Sequence, residues 1–157
     1  MKTPANPSAN KRRQGYLRAM ERLGYTPHVV QVRGEGWAFE EIGRREGGRA
    51  LAERKFPTNT VLCSNDRLAI GFLTACYDHG LRVGRNADCA LRVAGHDDHP
   101  LSRFTCPPLT TIAQDYEAIS RQAVETLFQW IEERGEEAEP SHRTTLFEGR
   151  LVMRDSA

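Results

Sequence analysis

The sequence has no long hydrophobic run, no excess of charge of one sign and no closely spaced pair of cysteines. Residues 1–7 contain two prolines and no apolar segment like that of a signal peptide, and no later run approaches the roughly 20 apolar residues of a membrane span. Lys and Arg number 22 against 21 Asp and Glu, so the formal charge of +1 provides no broad surface for nucleic acid or an anionic membrane. These features predict a cytoplasmic protein without membrane contacts.

Several chemical motifs are also missing. The cysteines, Cys63, Cys76, Cys89 and Cys106, include no C-x-x-C pair, which argues against a disulfide framework or a zinc site. The chain contains no G-x-S-x-G motif and no Walker A loop, and G-E-G after Arg33 lacks the third glycine of a dinucleotide fingerprint. The sequence therefore gives no sign of a nucleophilic hydrolase or of a bound cofactor.

What the sequence does contain is an alternation of helix and strand signals, which is typical of an α/β fold with a mainly parallel sheet between layers of helices. The predicted elements of the first half are a helix that starts near Lys11 and is closed by Gly24, a strand at His28–Val32, a helix that ends before Pro57, a strand at Thr60–Ser64 and a helix from Asp66 to about His79. The predicted elements of the second half are a strand at Cys89–Ala94, an extended segment at 107–112, a helix at Tyr116–Glu133, an acidic loop at Glu132–Glu139 and one or two strands within Thr144–Met153.

Two predicted strands end in polar side chains. Asn65 follows the first of them, and Asp97 follows the other. Because ligands of open α/β sheets bind at the carboxyl ends of the strands, an amide and a carboxylate there predict a small polar cleft that could hold adjacent hydroxyl groups. The alternative is that Asn65 and Asp66 cap a helix while Asp97 and Asp98 shape a turn.

Two further residues are candidates for the same cleft. Lys11, Arg12 and Arg13 form a basic run that we place in the first turn of a helix, where the helix dipole disfavours cations. Arg12 or Arg13 could therefore reach the cleft; a solvated basic start is the alternative. Trp37 follows a predicted strand and could stack on a ligand, or it could pack onto the core at the helix entry, as we expect of Phe39.

Imidazole and carboxylate groups cluster in the run His96, Asp97, Asp98, His99. These groups are metal ligands, but four consecutive residues point in different directions and no distant ligand is evident. We therefore predict no metal site there.

Five motifs stand in a recognisable order and spacing in this sequence: K-R-R-Q-G-Y-L-R-A-M (Lys11–Met20), C-S-N-D-R-L-A-I-G-F (Cys63–Phe72), V-A-G-H-D-D (Val93–Asp98), P-P-L-T-T-I (Pro107–Ile112) and V-M-R-D-S (Val152–Ser156). With these motifs the sequence resembles the effector-binding domain of LacI/GalR-type transcriptional regulators, a relative of periplasmic sugar-binding proteins. The match spans residues 8–156. It implies one lobe of a periplasmic-binding-protein-like fold, together with a long helix that in the family returns to the first lobe.

The resemblance also implies an effector site. In the family an arginine three positions before a glycine, the asparagine of an N-D pair, the first aspartate of a G-x-D-D element and a stacking aromatic contact the effector. The matching residues are Arg12, Asn65, Asp97 and Trp37. His96 stands where the family often has Phe or Tyr, which changes the shape of the pocket.

The resemblance divides the chain into a disordered or truncated start (1–10), a second-lobe sensing domain (11–113), a crossover helix with an acidic loop (114–140) and closing strands (141–157). It implies a non-enzymatic sensor of a small polar, sugar-like ligand that forms a homodimer and reaches DNA only through a helix-turn-helix, which this chain lacks.

The rival functions are a sugar-binding protein of a transport system and a small metal-dependent hydrolase that uses the run His96–His99. The coding sequence upstream of Met1 separates the first rival from the regulator, because a transporter needs a leader sequence.

Overall fold

Helices and strands alternate in the computed structural model of the chain, which describes residues 7–33, 36–134 and 144–157. The helices are α1 (Pro7–Arg22), α2 (Phe39–Ala52), α3 (Asp66–Asp78) and α4 (Tyr116–Arg134); the strands are β1 (Thr60–Leu62), β2 (Arg92–Ala94), β3 (Thr111–Ala113) and β4 (Arg150–Val152), and one 3-10 turn spans Pro100–Arg103. The predicted α/β class is confirmed. Within these ranges, no helix is long and apolar enough to cross a membrane.

The strands form two pairs, β1 with β2 and β3 with β4, and isolated bridges join the two pairs side by side. β1 and β2 are parallel, with Val61 opposite Val93, and isolated parallel bridges, one of them between Asp97 and Ala113, join β2 to β3. β4 runs antiparallel to β3. Because the first three strands share one direction, their carboxyl ends lie at the same edge of the sheet.

α3 packs between the sheet and α2. Its buried face belongs to a core made of Ala69, Phe72, Leu73, Ala75, Cys76, Leu91, Val93 and Leu109. α2 approaches α3 through small residues, since a Cβ atom on Gly43 would lie less than 3.0 Å from the carbonyl oxygen of Leu68. The two helices therefore touch through their backbones, which fixes the start of α3 against α2.

The predicted strand at His28–Val32 is wrong, because this segment has no regular secondary structure and pairs with no strand in the described part of the chain. Its backbone contacts side chains instead: the amide of His28 lies 3.1 Å from the Tyr16 hydroxyl, and the amide of Arg33 lies 3.2 Å from the Glu46 carboxylate. β propensity alone does not make a strand, since a strand needs a neighbour to accept its hydrogen bonds.

The start of the first helix was also misplaced. α1 begins at Pro7, so 7–10 are helical rather than disordered, and Arg12 lies in the second turn. The dipole argument for Arg12 therefore loses its basis, because the effect fades beyond the first turn. Proline suits this position because the first helical residues have no intrahelical acceptor for an N–H.

The predicted apolar stripe of the last long helix is not buried. Ile119 is partly buried, but Ala123 is exposed, and Leu127 and Ile131 are 53% and 52% exposed. Helical periodicity predicts an apolar face, but only a neighbouring element buries it, and the described elements leave this face open. Residues 135–143, which hold most of the predicted acidic loop, lie outside the described residues.

Candidate functional site

An ion pair joins α1 to the loop after β2. The Nη2 atom of Arg12 contacts Oδ1 of Asp97, and Nη1 lies 3.3 Å from Oδ2, so the guanidinium grips both carboxylate oxygens. Nη1 also donates to the carbonyl oxygen of Ser64 at 2.7 Å, at the end of β1. The structure thus places Arg12 in the predicted cleft, where it links the ends of two neighbouring strands.

The Asp97 carboxylate accepts more hydrogen bonds than Arg12 supplies. Nε2 of Gln114 lies 2.7 Å and Nδ1 of His96 3.2 Å from its Oδ1, and the Tyr116 hydroxyl donates to the Asp97 carbonyl at 3.2 Å. Burial opposes ionisation of Asp97, but hydrogen bonds from His96 and Arg12 outweigh it and hold the pKa of the carboxyl below its ordinary value. Asp97 is therefore an ionised acceptor at neutral pH.

The backbone around this carboxylate is strained. Asp97 has φ of 123° and Asp98 has φ of 50°, both in the region that favours glycine. The amide of Asp97 donates to the carbonyl of Ile112 at 2.9 Å, and the amide of Asp98 lies 3.3 Å from Oγ1 of Thr111. Contacts with β3 thus support two unfavourable conformations in succession, and strain of this kind is concentrated at functional sites.

Asn65 is the N-cap of α3. Its side-chain oxygen accepts a hydrogen bond from the amide of Leu68 at 2.8 Å, which satisfies one free donor of the first helical turn. The capping alternative therefore describes Asn65 correctly, whereas Asp66 is not the cap. The cap uses only the oxygen of the amide, and the partly buried side chain lies one residue after the carbonyl that binds Arg12.

Asp66 is fully buried and organises the loop beside the cleft. Its carboxylate accepts hydrogen bonds from the hydroxyls of Thr111 at 2.6 Å and Ser102 at 2.7 Å and from the amide of His99 at 2.8 Å. A Cβ atom on Gly95 would lie less than 3.0 Å from Oδ1 of Asp66. These contacts hold the loop after β2 against the start of α3.

Trp37 lies outside this hydrogen-bonded group. Its side chain is 75% exposed and meets the ring of Phe39 edge-on at 5.7 Å between centroids. The centroid of the Phe39 ring in turn lies 5.3 Å from the guanidinium carbon of Arg67, a residue in the first turn of α3. Trp37 therefore sits near the helix that Asn65 caps, but among the described residues no direct contact joins it to Arg12, Asn65 or Asp97.

The four residues His96–His99 turn their side chains to different partners. His96 lies against Asp97, Asp98 pairs with Arg154 at 2.6 Å, and Nδ1 of His99 accepts the amide of Leu101 at 3.2 Å in the 3-10 turn. No group of three or more potential metal ligands occurs in the part of the chain that the structure describes. This geometry gives the hydrolase alternative no support.

Gln114 and Tyr116 also belong to this hydrogen-bonded group, and the sequence patterns predicted neither. They follow β3, whose end lies at the same sheet edge as those of β1 and β2. The strand-end rule that selected Asn65 and Asp97 would have selected Gln114, had the extended segment at 107–112 been recognised as leading into a third strand of the sheet.

The whole chain, residues 1–157, matches the family model described as "Periplasmic binding protein-like domain". The chain belongs to this family. A ribose operon repressor from Haemophilus influenzae is 32% identical over 154 residues, which cover 94% of this chain and 42% of that protein. The resemblance to the effector-binding domain of LacI/GalR-type regulators is thereby confirmed, as is the periplasmic-binding-protein-like α/β fold; the role of the long helix toward a first lobe stays a prediction.

Two solved structures resemble the fold of this chain. The Lac repressor bound to ONPG in its repressed state has a TM-score of 0.78 and 30% identity, covering 96% of this chain and 42% of that one. A LacI family regulator from Arthrobacter sp. FB24, in complex with lactose, has a TM-score of 0.70 and 31% identity, covering 91% of this chain and 49% of that one. The chain thus spans less than half the length of these relatives.

Proposed function

We propose that the chain senses a small hydroxylated molecule, and that Arg12 and Asp97 bind its hydroxyl groups. The observation that carries this proposal is the ion pair itself, whose two side chains are 23% and 28% exposed at the edge of the sheet. A hydroxyl group can donate to the carboxylate and accept from the guanidinium at the same time. Adjacent hydroxyls of a sugar therefore fit between the two charges.

Magnitudes favour a binding role over a stabilising one for this pair. A partly exposed ion pair contributes about 0–1 kcal/mol to stability, whereas each residue held in an unfavourable backbone region costs about 1–3 kcal/mol. Asp97 and Asp98 are two such residues in succession. The ion pair between Arg12 and Asp97 therefore does not by itself offset this strain, which is expected where a side chain is held for a ligand.

Asn65 and Trp37 complete the proposed site. The capping oxygen of Asn65 is occupied, which leaves its amide nitrogen to donate to a ligand oxygen. The exposed indole of Trp37 offers an apolar platform for the face of a sugar ring. The lactose complex of the related Arthrobacter regulator supports a sugar as the ligand class.

A titration of the chain with lactose, D-ribose and D-galactose, followed by amide NMR, tests this proposal. We expect at least one sugar to shift the side-chain amide signals of Asn65 and Gln114 and the indole signal of Trp37, because the proposal assigns Asn65 and Trp37 to the ligand and Gln114 contacts the Asp97 carboxylate. Adenine, which has a flat ring and no hydroxyl groups, is the control. Absence of shifts with every sugar up to tens of millimolar, or shifts only at distant residues, would refute the proposal.

The sensor function is not enzymatic in this proposal, and in a longer protein it would regulate DNA binding through ligand-dependent closure of two lobes. The relatives are repressors, which favours this regulatory use over the transport alternative.

We also propose that the chain forms a homodimer. The exposed apolar face of α4, which includes Val124, Leu127, Phe128 and Ile131, provides a physical reason for self-association, and a related Lac repressor is described as dimeric. Light scattering after size-exclusion chromatography should give twice the 17.7 kDa mass of one chain at micromolar concentration. A single peak at the mass of one chain over the accessible concentrations would contradict this.

A further inference from the structure

The C-terminal segment, residues 153–157, reaches the loop that carries Asp97. Nη2 of Arg154 donates to Oδ1 of Asp98 at 2.6 Å, and Nη1 donates to the carbonyl oxygen of Leu109 at 2.8 Å. The two charged side chains are only 15% and 19% exposed, which makes this pair better shielded than the pair between Arg12 and Asp97. Arg154 is therefore a fixed contact of the loop rather than a mobile surface arginine.

The backbone of this segment is fixed as well. The amide of Arg154 donates to Oγ1 of Thr110 at 2.9 Å. Ser156 is fully buried, and its hydroxyl donates to the carbonyl of Val93 at 2.6 Å and accepts the amide of Thr110 at 2.8 Å. The segment thus bridges β2 and the approach to β3, and it presents the Arg154 side chain to the loop from a rigid base.

The two strained residues of the loop are supported from different sides. Asp97 is held by Arg12, Gln114 and Tyr116. In the proposed site, these three partners lie where the ligand would bind. Asp98 is held by a long contact of its amide with Thr111, at 3.3 Å, and by the short charged contact with Arg154. Among the described residues, Arg154 is the only charged partner of Asp98, and it lies outside the proposed ligand contacts.

We propose that Arg154 is a positioning residue for the sensing site, which holds Asp98 in its positive-φ conformation and thereby aims the Asp97 carboxylate at Arg12 and the ligand. This inference rests on the function proposed above, because it assigns a further residue to the same site. It extends that site to Arg154, a residue to which the proposed function assigns no ligand contact.

Arg154→Gln tests the proposal without any ligand, through the backbone carbon shifts and couplings of Asp97 and Asp98, which report φ. We expect both residues to leave the positive-φ region in a large fraction of molecules, because the charged contact that offsets the strain is lost. Asp98→Asn, which still tolerates positive φ but lacks the charge, should weaken the same contact and cause a smaller shift.

Ser156→Ala is the matched control, because it removes two hydrogen bonds from the same segment but keeps the two backbone hydrogen bonds of Arg154 with Thr110, which suffice to hold Arg154 against Asp98. It should lower the melting temperature and leave the shifts of Asp97 and Asp98 unchanged. The proposal is overturned if Arg154→Gln and Ser156→Ala lower the melting temperature alike while both keep the wild-type backbone shifts, since Arg154 would then only fasten the C-terminus.

Lactose binding separates this inference from the proposed function. If lactose binds the wild-type chain, Arg154→Gln should raise the dissociation constant for lactose about tenfold, which corresponds to about 1.4 kcal/mol of binding free energy. Ser156→Ala should leave that dissociation constant within about twofold of the wild-type value. An unchanged dissociation constant for Arg154→Gln would contradict the positioning role. If no sugar binds the wild-type chain but Arg154→Gln still changes the backbone shifts of Asp97 and Asp98, the proposed ligand is wrong and the positioning of Asp97 by Arg154 stands.

Discussion

Asp97→Asn is expected to remove about half or more of the thermal stabilisation that a bound sugar gives the chain. A ligand at one hundred times its dissociation constant stabilises a folded protein by about 2.7 kcal/mol, so binding by the wild-type chain is readily measured as a shift in melting temperature. Asparagine keeps the size of the side chain but removes the charge that grips Arg12 and accepts from Gln114. Loss of a charge-assisted hydrogen bond costs about 1.5–3 kcal/mol, or roughly ten- to a hundredfold in affinity.

The matched control for this prediction is Asp78→Asn. Asp78 also pairs with an arginine, Arg44, at 2.9 Å, but it lies at the far end of α3 and its side chain is 42% exposed. Its loss should leave the ligand-induced shift at the wild-type value. Arg12→Ala should reproduce the effect of Asp97→Asn, and equal ligand-induced shifts in the wild-type chain and both site variants would show that the ion pair does not bind the ligand.

Gly71→Ala is expected to destabilise the fold by about 3 kcal/mol, although alanine is the better helix former. A Cβ atom at this position would lie less than 3.0 Å from the carbonyl oxygen of Glu40 and from the amide nitrogen of Arg44. Both atoms belong to the backbone of α2, which cannot move aside as a side chain could. The helices must separate instead, and this disturbs the start of α3 that carries Asn65.

Gly15→Ala is the control for this substitution, because Gly15 also lies in a helix but a Cβ atom there meets nothing within 4 Å. It should raise the free energy of unfolding by up to about 1 kcal/mol through helix propensity alone. Urea unfolding followed by circular dichroism measures both variants. Changes of the same sign in the two variants would mean that the close approach of α2 and α3 does not limit residue size at position 71.

The ends of the strands were the part of the site that the sequence could predict. Asn65 and Asp97 follow β1 and β2 in the chain, and a parallel sheet necessarily brings such ends together. Arg12 was a candidate for the wrong reason, since it lies in the second turn of α1 and not in the first. Its contact with Asp97 depends on where α1 lies relative to the strand ends, which local sequence does not specify.

Three kinds of failure had a common physical origin. The segment His28–Val32 had strand propensity without a partner, α4 had an apolar face without a covering element, and Asp66 had the residue type of a cap but a fully buried position. In each case the local preference of the residues was interpreted correctly. The error lay in the assumed packing partner, which the folded chain does not provide. Neighbours distant in the chain are set by tertiary packing, which outweighs propensities of a fraction of a kcal/mol per residue.

The sequence by itself determined the α/β class, the family and the identity of the polar residues at two strand ends, because these depend on local periodicity and on motifs of contiguous residues. Only the tertiary structure decided that Arg12 grips Asp97, that Gln114 and Tyr116 join them, and that Arg154 holds the neighbouring Asp98 from the other end of the chain. These contacts join residues 17 to 85 positions apart. They exist only because folding brings the three strand ends, α1 and the C-terminal segment to one edge of the sheet.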